Sequence, residues 1–350
     1  MKNNRIVYFD YLRIIAIFAV IVLHIAGHNW WGTDVNSFEW QMFNIYDSIV
    51  RWGVPVFVMI SGALFLGKDI SIKTLYKKNI LRILVSLFFW STLYSLWNSF
   101  VIEKSYSIKE LIKGILFGHY HLWFLFMIIG LYIIVPFLNK IASDKKIAWY
   151  FVIIAFAFAF LIPQCTEIVG LKFGGISSII TEIVSKLKLH MVLGFSGYYV
   201  LGYLLNEIEI EKKHRFIIYI FGIIGLAFTI ISSSVLSLFW QSPVKMFYGN
   251  LTVNTLLVSV SVFVFAKTHL NIPLLSIRKQ NIFMFLSKCS FGIYLIHPFF
   301  IESLDKFLNI TSLSFNPILS VPVLSVLVFL FSLVFSIILN KIPFVNKWIV

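Results

Sequence analysis

The chain has 350 residues, 59% of them hydrophobic and only 13% charged, with a mean hydropathy of +0.91. Soluble domains carry about 25% charged residues, so this chain cannot clothe a globular surface, and a soluble enzyme is excluded. Two cysteines exclude a disulfide scaffold. What remains is an all-α, polytopic helical bundle in a membrane, with room for about ten helices at about 20 residues per span.

Ten apolar stretches follow in chain order, at 8–27, 45–66, 79–100, 121–139, 148–165, 191–206, 214–233, 250–266, 281–301 and 319–340. A net charge of +14 invites a nucleic-acid partner, but its distribution argues against one. Of the 29 Lys and Arg, 17 fall before the first stretch, in the even-numbered connections and after the last stretch. They include Lys2, Arg5, Lys68, Lys145, Arg215, Arg278, Lys279 and Lys341. Eight, among them Lys109, Lys186, Lys188, Lys245 and Lys306, fall on the other side. Basic loops stay inside, so both termini are expected in the cytoplasm. The first stretch does not read as a cleavable signal, because Asp10 and Arg13 interrupt its start and no small-residue cleavage site follows. The connections 28–44, 101–120, 166–190 and 302–318 read as mixed loops. With no internal repeat, residues 1–350 read as one membrane domain.

Ionisable groups in hydrocarbon are costly, so each one inside an apolar stretch is a functional candidate. In the first stretch Arg13 and His24 are eleven residues apart, close to three turns, so they share a face about 16 Å apart along the axis. They suit the two ends of a long anionic ligand. Equally, Arg13 can pair with Asp10 at i, i+3 while His24 satisfies a buried hydrogen bond. In the second stretch Pro55 frees a backbone carbonyl and Ser61-Gly62 admits a close neighbour, either a ligand or another helix. Lys77-Lys78-Asn79-Ile80-Leu81-Arg82 opens the third stretch, fit for a phosphate or simply snorkelling at the inner face.

The fourth stretch opens Gly118-His119-Tyr120-His121-Leu122-Trp123. On a helix, residues at i, i+2 face apart, so these two His do not suggest a metal, and none is expected elsewhere. The ninth stretch ends Tyr294-Leu295-Ile296-His297-Pro298, with Glu302 beyond. No nucleophile elbow, phosphate-cradling glycine loop or cysteine metal site is present.

In this order, Arg13 with His24, Pro55 through Ser61-Gly62, Tyr120 through Leu125, and Ser290 through Pro298 resemble the membrane acyltransferase-3 family. Its members are integral O-acyltransferases of bacterial surface polysaccharides. One departure is Asn79, where the family often has the first Arg of an Arg-x-x-Arg pair completed here by Arg82; Lys78 stands one residue earlier. The resemblance implies a multi-pass protein of the bacterial plasma membrane that transfers an acyl group, acetyl in the first instance, from cytoplasmic acyl-CoA to a hydroxyl of a cell-surface or lipid-linked carbohydrate. His24 would be the general base, and Arg13, Lys78 and Arg82 would hold the coenzyme A phosphates. Asp10, Ser61, His121, Trp123, Tyr294, His297 and Glu302 would serve the acceptor or support the site. No permanently bound cofactor is implied, acetyl-CoA being a substrate, and a homo-oligomer is left open. The alternative is a transporter or flippase of a lipid-linked sugar or acyl group, whose buried charges would form a path rather than a catalytic centre.

Overall fold

The computed structural model describes residues 6–104, 107–186, 190–270 and 277–350. Lys2, Arg5 and Lys188 lie outside the described residues, as do the side chains of Arg278 and Lys279. In chain order the helices are α1 (Val7–His28), α2 (Phe38–Val50), α3 (Gly53–Phe65), α4 (Ile72–Ile102), α5 (Ile108–Phe117), α6 (Trp123–Ala142) and α7 (Lys145–Gly170). They continue with α8 (Gly174–Lys186), α9 (His190–Glu207), α10 (Lys212–Trp240), α11 (Val253–His269), α12 (Ile277–Leu308), α13 (Pro317–Asn340) and α14 (Pro343–Trp348). Among the described residues there is no strand.

Among the described residues, eight helical segments are long and apolar enough to cross a membrane, α2 with α3 and α5 with α6 each counting as one. The two remaining apolar stretches are α9, of 18 residues, and α11, of 17. Every stretch expected from the sequence is therefore helical, and the chain is an all-α polytopic bundle.

The connections are more ordered than loops. The stretch 28–44 holds the start of α2, where the Ser37 hydroxyl accepts from the Trp40 N–H. The stretch 101–120 holds α5, capped by Ser107 on the Glu110 N–H, a Ser-x-x-Glu start of the kind that satisfies orphan donors. The stretch 166–190 holds α8, and α12 runs on to Leu308. Amphipathic segments of ten to thirteen residues are too short to register as spans; of these, α2 and α5 open on side-chain caps.

The second stretch breaks at Arg51–Trp52. Pro55 has no N–H to donate to the Arg51 carbonyl and its ring crowds that position. Restarting the helix at Gly53 puts Pro55 in the first turn, where no intrahelical donor is required. The break leaves Arg51 at the end of α2, inside the bundle.

At the centre lies α1, which packs against α2, α3, α12 and α13. Its Ala16, Ile17, Ile21 and Ala26 are fully buried. A second tight contact joins α3 to α9. A Cβ on Gly62 would stand 1.8 Å from the Tyr199 carbonyl oxygen, and one on Gly202 would stand 2.2 Å from that of Met59. Only glycine allows the two backbones this close on both sides.

Side-chain contacts sort the connections into two ends. At one end Tyr8 donates to Asn206 at 2.7 Å, Gly67 donates to Asn139 at 2.9 Å, and Arg82 donates to the Val350 carbonyl at 2.6 Å. At the other, Ser312 donates to Asn29 at 2.9 Å, Asn36 to Gln241 at 2.8 Å, and Lys306 to the Ile102 carbonyl at 3.1 Å. The first set joins the connections expected inside, the second those expected outside.

Candidate active site

Arg13 sits on α1 toward the first end. Both it and Arg82 of α4 act electrostatically on Tyr132 of α6, whose ring stacks on Phe65 at 4.6 Å. The two arginines therefore share one electrostatic neighbourhood. The Arg82 guanidinium also lies 6.0 Å from the centre of the Phe291 ring. Lys78 is exposed on a π-helical turn, Leu75–Ile80, that precedes Arg82. Asp10 is buried, one turn before Arg13.

Three turns along α1, His24 opens onto a cavity of about 910 Å³ at the other end. Carboxylates Asp47, Glu167 and Glu302 line it, with the cations Arg51 and Lys245 and the rings of Trp30, Trp31, Tyr120 and Tyr248. The break between α2 and α3 delivers Arg51, whose guanidinium donates to Asp47 of the preceding turn and, at 3.0 Å, to the Tyr248 carbonyl. It lies 4.2 Å from the centre of the Tyr248 ring. Arg51 is half-buried, and pairing offsets the cost of withdrawing its charge from water. Burial and the nearby Asp47 raise the Tyr248 phenol above its ordinary range, so it stays a donor, to the Asn44 side chain.

Around His24 stand three further imidazoles. The His297 ring lies 5.1 Å from that of His24 and 5.6 Å from that of His121. His119 is not helical as the sequence suggests; it has extended backbone ahead of a single tight turn, Tyr120–Leu122. The i, i+2 rule for helices therefore does not apply, and His119 Nδ1 meets His121 Nδ1 at 2.9 Å. His119 Nε2 lies 3.0 Å from Glu302 Oε1, while Trp97 donates to the other Glu302 oxygen at 2.9 Å. The ring of Tyr94 stacks on His119 at 4.3 Å. Among the described residues no three His, Cys, Asp or Glu side chains converge as metal ligands.

Pro298 explains much of this geometry. It has no N–H, so the Tyr294 carbonyl four residues earlier loses its helical donor, and His297 Nδ1 occupies it at 2.8 Å. The next N–H, that of Phe299, reaches the Tyr94 hydroxyl at 3.3 Å. The Leu295 carbonyl accepts from Tyr94 Oη at 2.9 Å and from His121 Nε2 at 3.3 Å. Tyr294 in turn donates to the His121 carbonyl at 2.5 Å. One proline thus ties α12 to α4 and to the turn before α6.

Of the residues singled out from the sequence, His24, His121, Tyr294, His297 and Glu302 are brought together, and Arg13 and Arg82 lie at the far end, both acting electrostatically on Tyr132. Lys78 does not join them within any contact observed. Ser61 turns its hydroxyl back to the Phe57 carbonyl at 2.9 Å, inside its own helix, and its neighbour Gly62 serves packing. Trp123 is 40% exposed and packs on Phe124 and Phe195. Asp47, Arg51 and Tyr248 were not assigned a role from the sequence, and His119 and Tyr120 were named there without one. The Asp47/Arg51 spacing of four, inside an apolar stretch, was the available signal for that pair.

The acyltransferase-3 family model, described as an acyltransferase domain, matches residues 6–339. No curated protein and no solved structure matches the chain.

Proposed function

From the premise that the chain belongs to the acyltransferase-3 family and is therefore a membrane acyltransferase, we propose that it moves an acetyl group from cytoplasmic acetyl-CoA to a hydroxyl of a cell-surface or lipid-linked carbohydrate in a bacterial plasma membrane. The observation that carries this reading is the division of α1: a cationic end at Arg13 and Arg82, and His24 about 16 Å away on the wall of the cavity. Coenzyme A phosphates bind at the cationic end. Arg82 has donors to spare, because a guanidinium carries five N–H groups and the Val350 carbonyl takes one. The pantetheine arm extends along α1 and presents the thioester near His24. Rings and carboxylates in the cavity suit a polyhydroxylated acceptor, rings packing on its apolar faces and carboxylates accepting from its hydroxyls.

A lone-pair nitrogen of His24 takes the proton of the acceptor hydroxyl as its oxygen attacks the thioester carbonyl. The tetrahedral intermediate collapses, the C–S bond breaks, and the thiolate recovers the proton from His24. Such proton transfer contributes typically about 10²–10⁴-fold in rate. The test uses the purified protein in detergent with acetyl-CoA and a glycan fraction from the host cell surface. Release of free thiol dependent on that fraction, with a matching acetyl mass on the glycan, is the expected result. Thiol release without any acylated carbohydrate, or none at all from a folded protein, overturns it.

A further inference from the structure

We infer that His297 is the positioning residue that fixes the tautomer of His24, an inference resting on the reading of His24 as the base. The argument is one of hydrogen-bond bookkeeping. His297 is completely buried. Its Nδ1 lies 2.8 Å from the Tyr294 carbonyl and 3.3 Å from that of Ile293. A carbonyl only accepts, so Nδ1 carries the hydrogen, and in the neutral ring Nε2 carries the lone pair. That Nε2 is buried without a hydrogen-bond partner in the protein. An orphaned acceptor in the interior is costly, and native structures rarely leave one unless it serves a purpose.

The donor within reach is His24, whose ring centre is 5.1 Å away and inclined by 33°. A rotation of the His24 ring that directs one of its N–H groups to His297 Nε2 would satisfy that acceptor. Two other neighbours are already committed. His121 uses Nε2 on the Leu295 carbonyl and Nδ1 on His119, and the Tyr294 hydroxyl is donated to the His121 carbonyl. Once one His24 nitrogen donates to His297, the other is left with its lone pair toward the cavity. An imidazole free to choose would spend part of its time in the opposite tautomer, with an N–H where the base must be.

Pro298 sets the direction of this arrangement. Because residue 298 lacks an N–H, the Tyr294 carbonyl is available to His297 Nδ1. The proline thus fixes the tautomer of His297, and His297 fixes that of His24. During turnover His24 becomes a cation with both nitrogens protonated, and the N–H donated to His297 strengthens as the charge develops. No proton needs to pass to His297.

The experiment is nitrogen-15 spectroscopy of protein labelled at histidine, with the His24 and His297 signals assigned from their loss in His24→Gln and His297→Gln. In the native protein, His297 is expected as a single tautomer with hydrogen on Nδ1, and His24 as a single tautomer. A His24 divided between two tautomers, or a His297 with hydrogen on Nε2, overturns the inference without any variant having to fold. In His297→Leu, which has no acceptor, His24 is expected to divide between tautomers and kcat to fall about tenfold or more, the scale of orienting partners. KM for acetyl-CoA is expected to stay within about twofold, since the donor phosphates lie at the far end. His297→Gln has an amide oxygen to accept and is expected to restore a single His24 tautomer and most of kcat. A His297→Leu protein with unchanged kcat and an unchanged His24 signal refutes the positioning role. Native turnover in His24→Gln would instead refute His24 as the base, so the two failures are distinguishable.

Discussion

Replacing His24 by glutamine separates the two roles an imidazole can have on the cavity wall. Glutamine keeps a hydrogen bond but accepts no proton at neutral pH, so His24→Gln is expected to fold, to bind acetyl-CoA and to lose about 10²-fold or more in turnover. Acyl transfer and thermal stability measured on one preparation test this; near-native turnover would assign His24 a structural role. Arg13→Ala and Arg82→Ala each remove a charge-assisted contact worth about 1.5–3 kcal/mol. Their KM for acetyl-CoA is expected to rise about tenfold or more, with the acceptor KM little changed. If Arg13→Ala only lowers yield, its charge serves folding near Asp10 instead. Arg13, His24 and His297 were legible in the sequence because a titratable group in an apolar run stands out against its neighbours. His119, Tyr248 and the Asp47–Arg51 pair were not. Their importance comes from partners far away in the chain, Glu302 lying 183 residues from His119 and Tyr248 lying 197 residues from Arg51.

Among the elements, α3 and α9 are the most tightly coupled. Gly62→Ala would drive a methyl group into the Tyr199 carbonyl, and overpacking of this kind typically costs about 1–3 kcal/mol. A fall in the melting temperature of the detergent-solubilised protein is expected. Gly27→Ala is the control, since a Cβ there meets nothing within 4 Å, and it should leave the melting temperature unchanged. Ser61-Gly62 drew attention in the sequence, but composition could not say whether a ligand or a backbone comes close; the Tyr199 carbonyl decides for packing. The break before α3 was only half legible. Pro55 announced a disturbance, whereas the carriage of Arg51 into the cavity depends on how the two pieces are inclined. The start of α2 and the helices α5 and α8 fell in expected loops because their apolar residues recur on one side only and do not build a run long enough to span.

Over the whole molecule, the number and order of apolar stretches were readable because a membrane imposes length and hydropathy on each crossing. The pairing of helices was not, since α3 against α9 and α1 against α12 join parts of the chain far apart in sequence. Orientation follows from the lysines and arginines. Single cysteines at 145 and 215 are expected to resist an impermeant reagent in intact cells, and those at 109 and 306 to react, in a background without Cys165 and Cys289. Labelling at 215 would refute the arrangement. The division of α1 also has an electrical consequence. If the thioester is loaded at the Arg13 end and consumed at the cavity, each turnover sends one acyl group outward and leaves one hydrogen, drawn from the acceptor hydroxyl, on a thiol at the inner face. The exchange is electroneutral, so a voltage across the bilayer does no work on it, even though each elementary charge moved would otherwise gain or lose about 2.3 kcal/mol per 100 mV. In proteoliposomes clamped at opposite potassium diffusion potentials, the rate of acyl export is expected to be the same at both polarities; a rate that changes with polarity would mean that an ion travels with the acyl group.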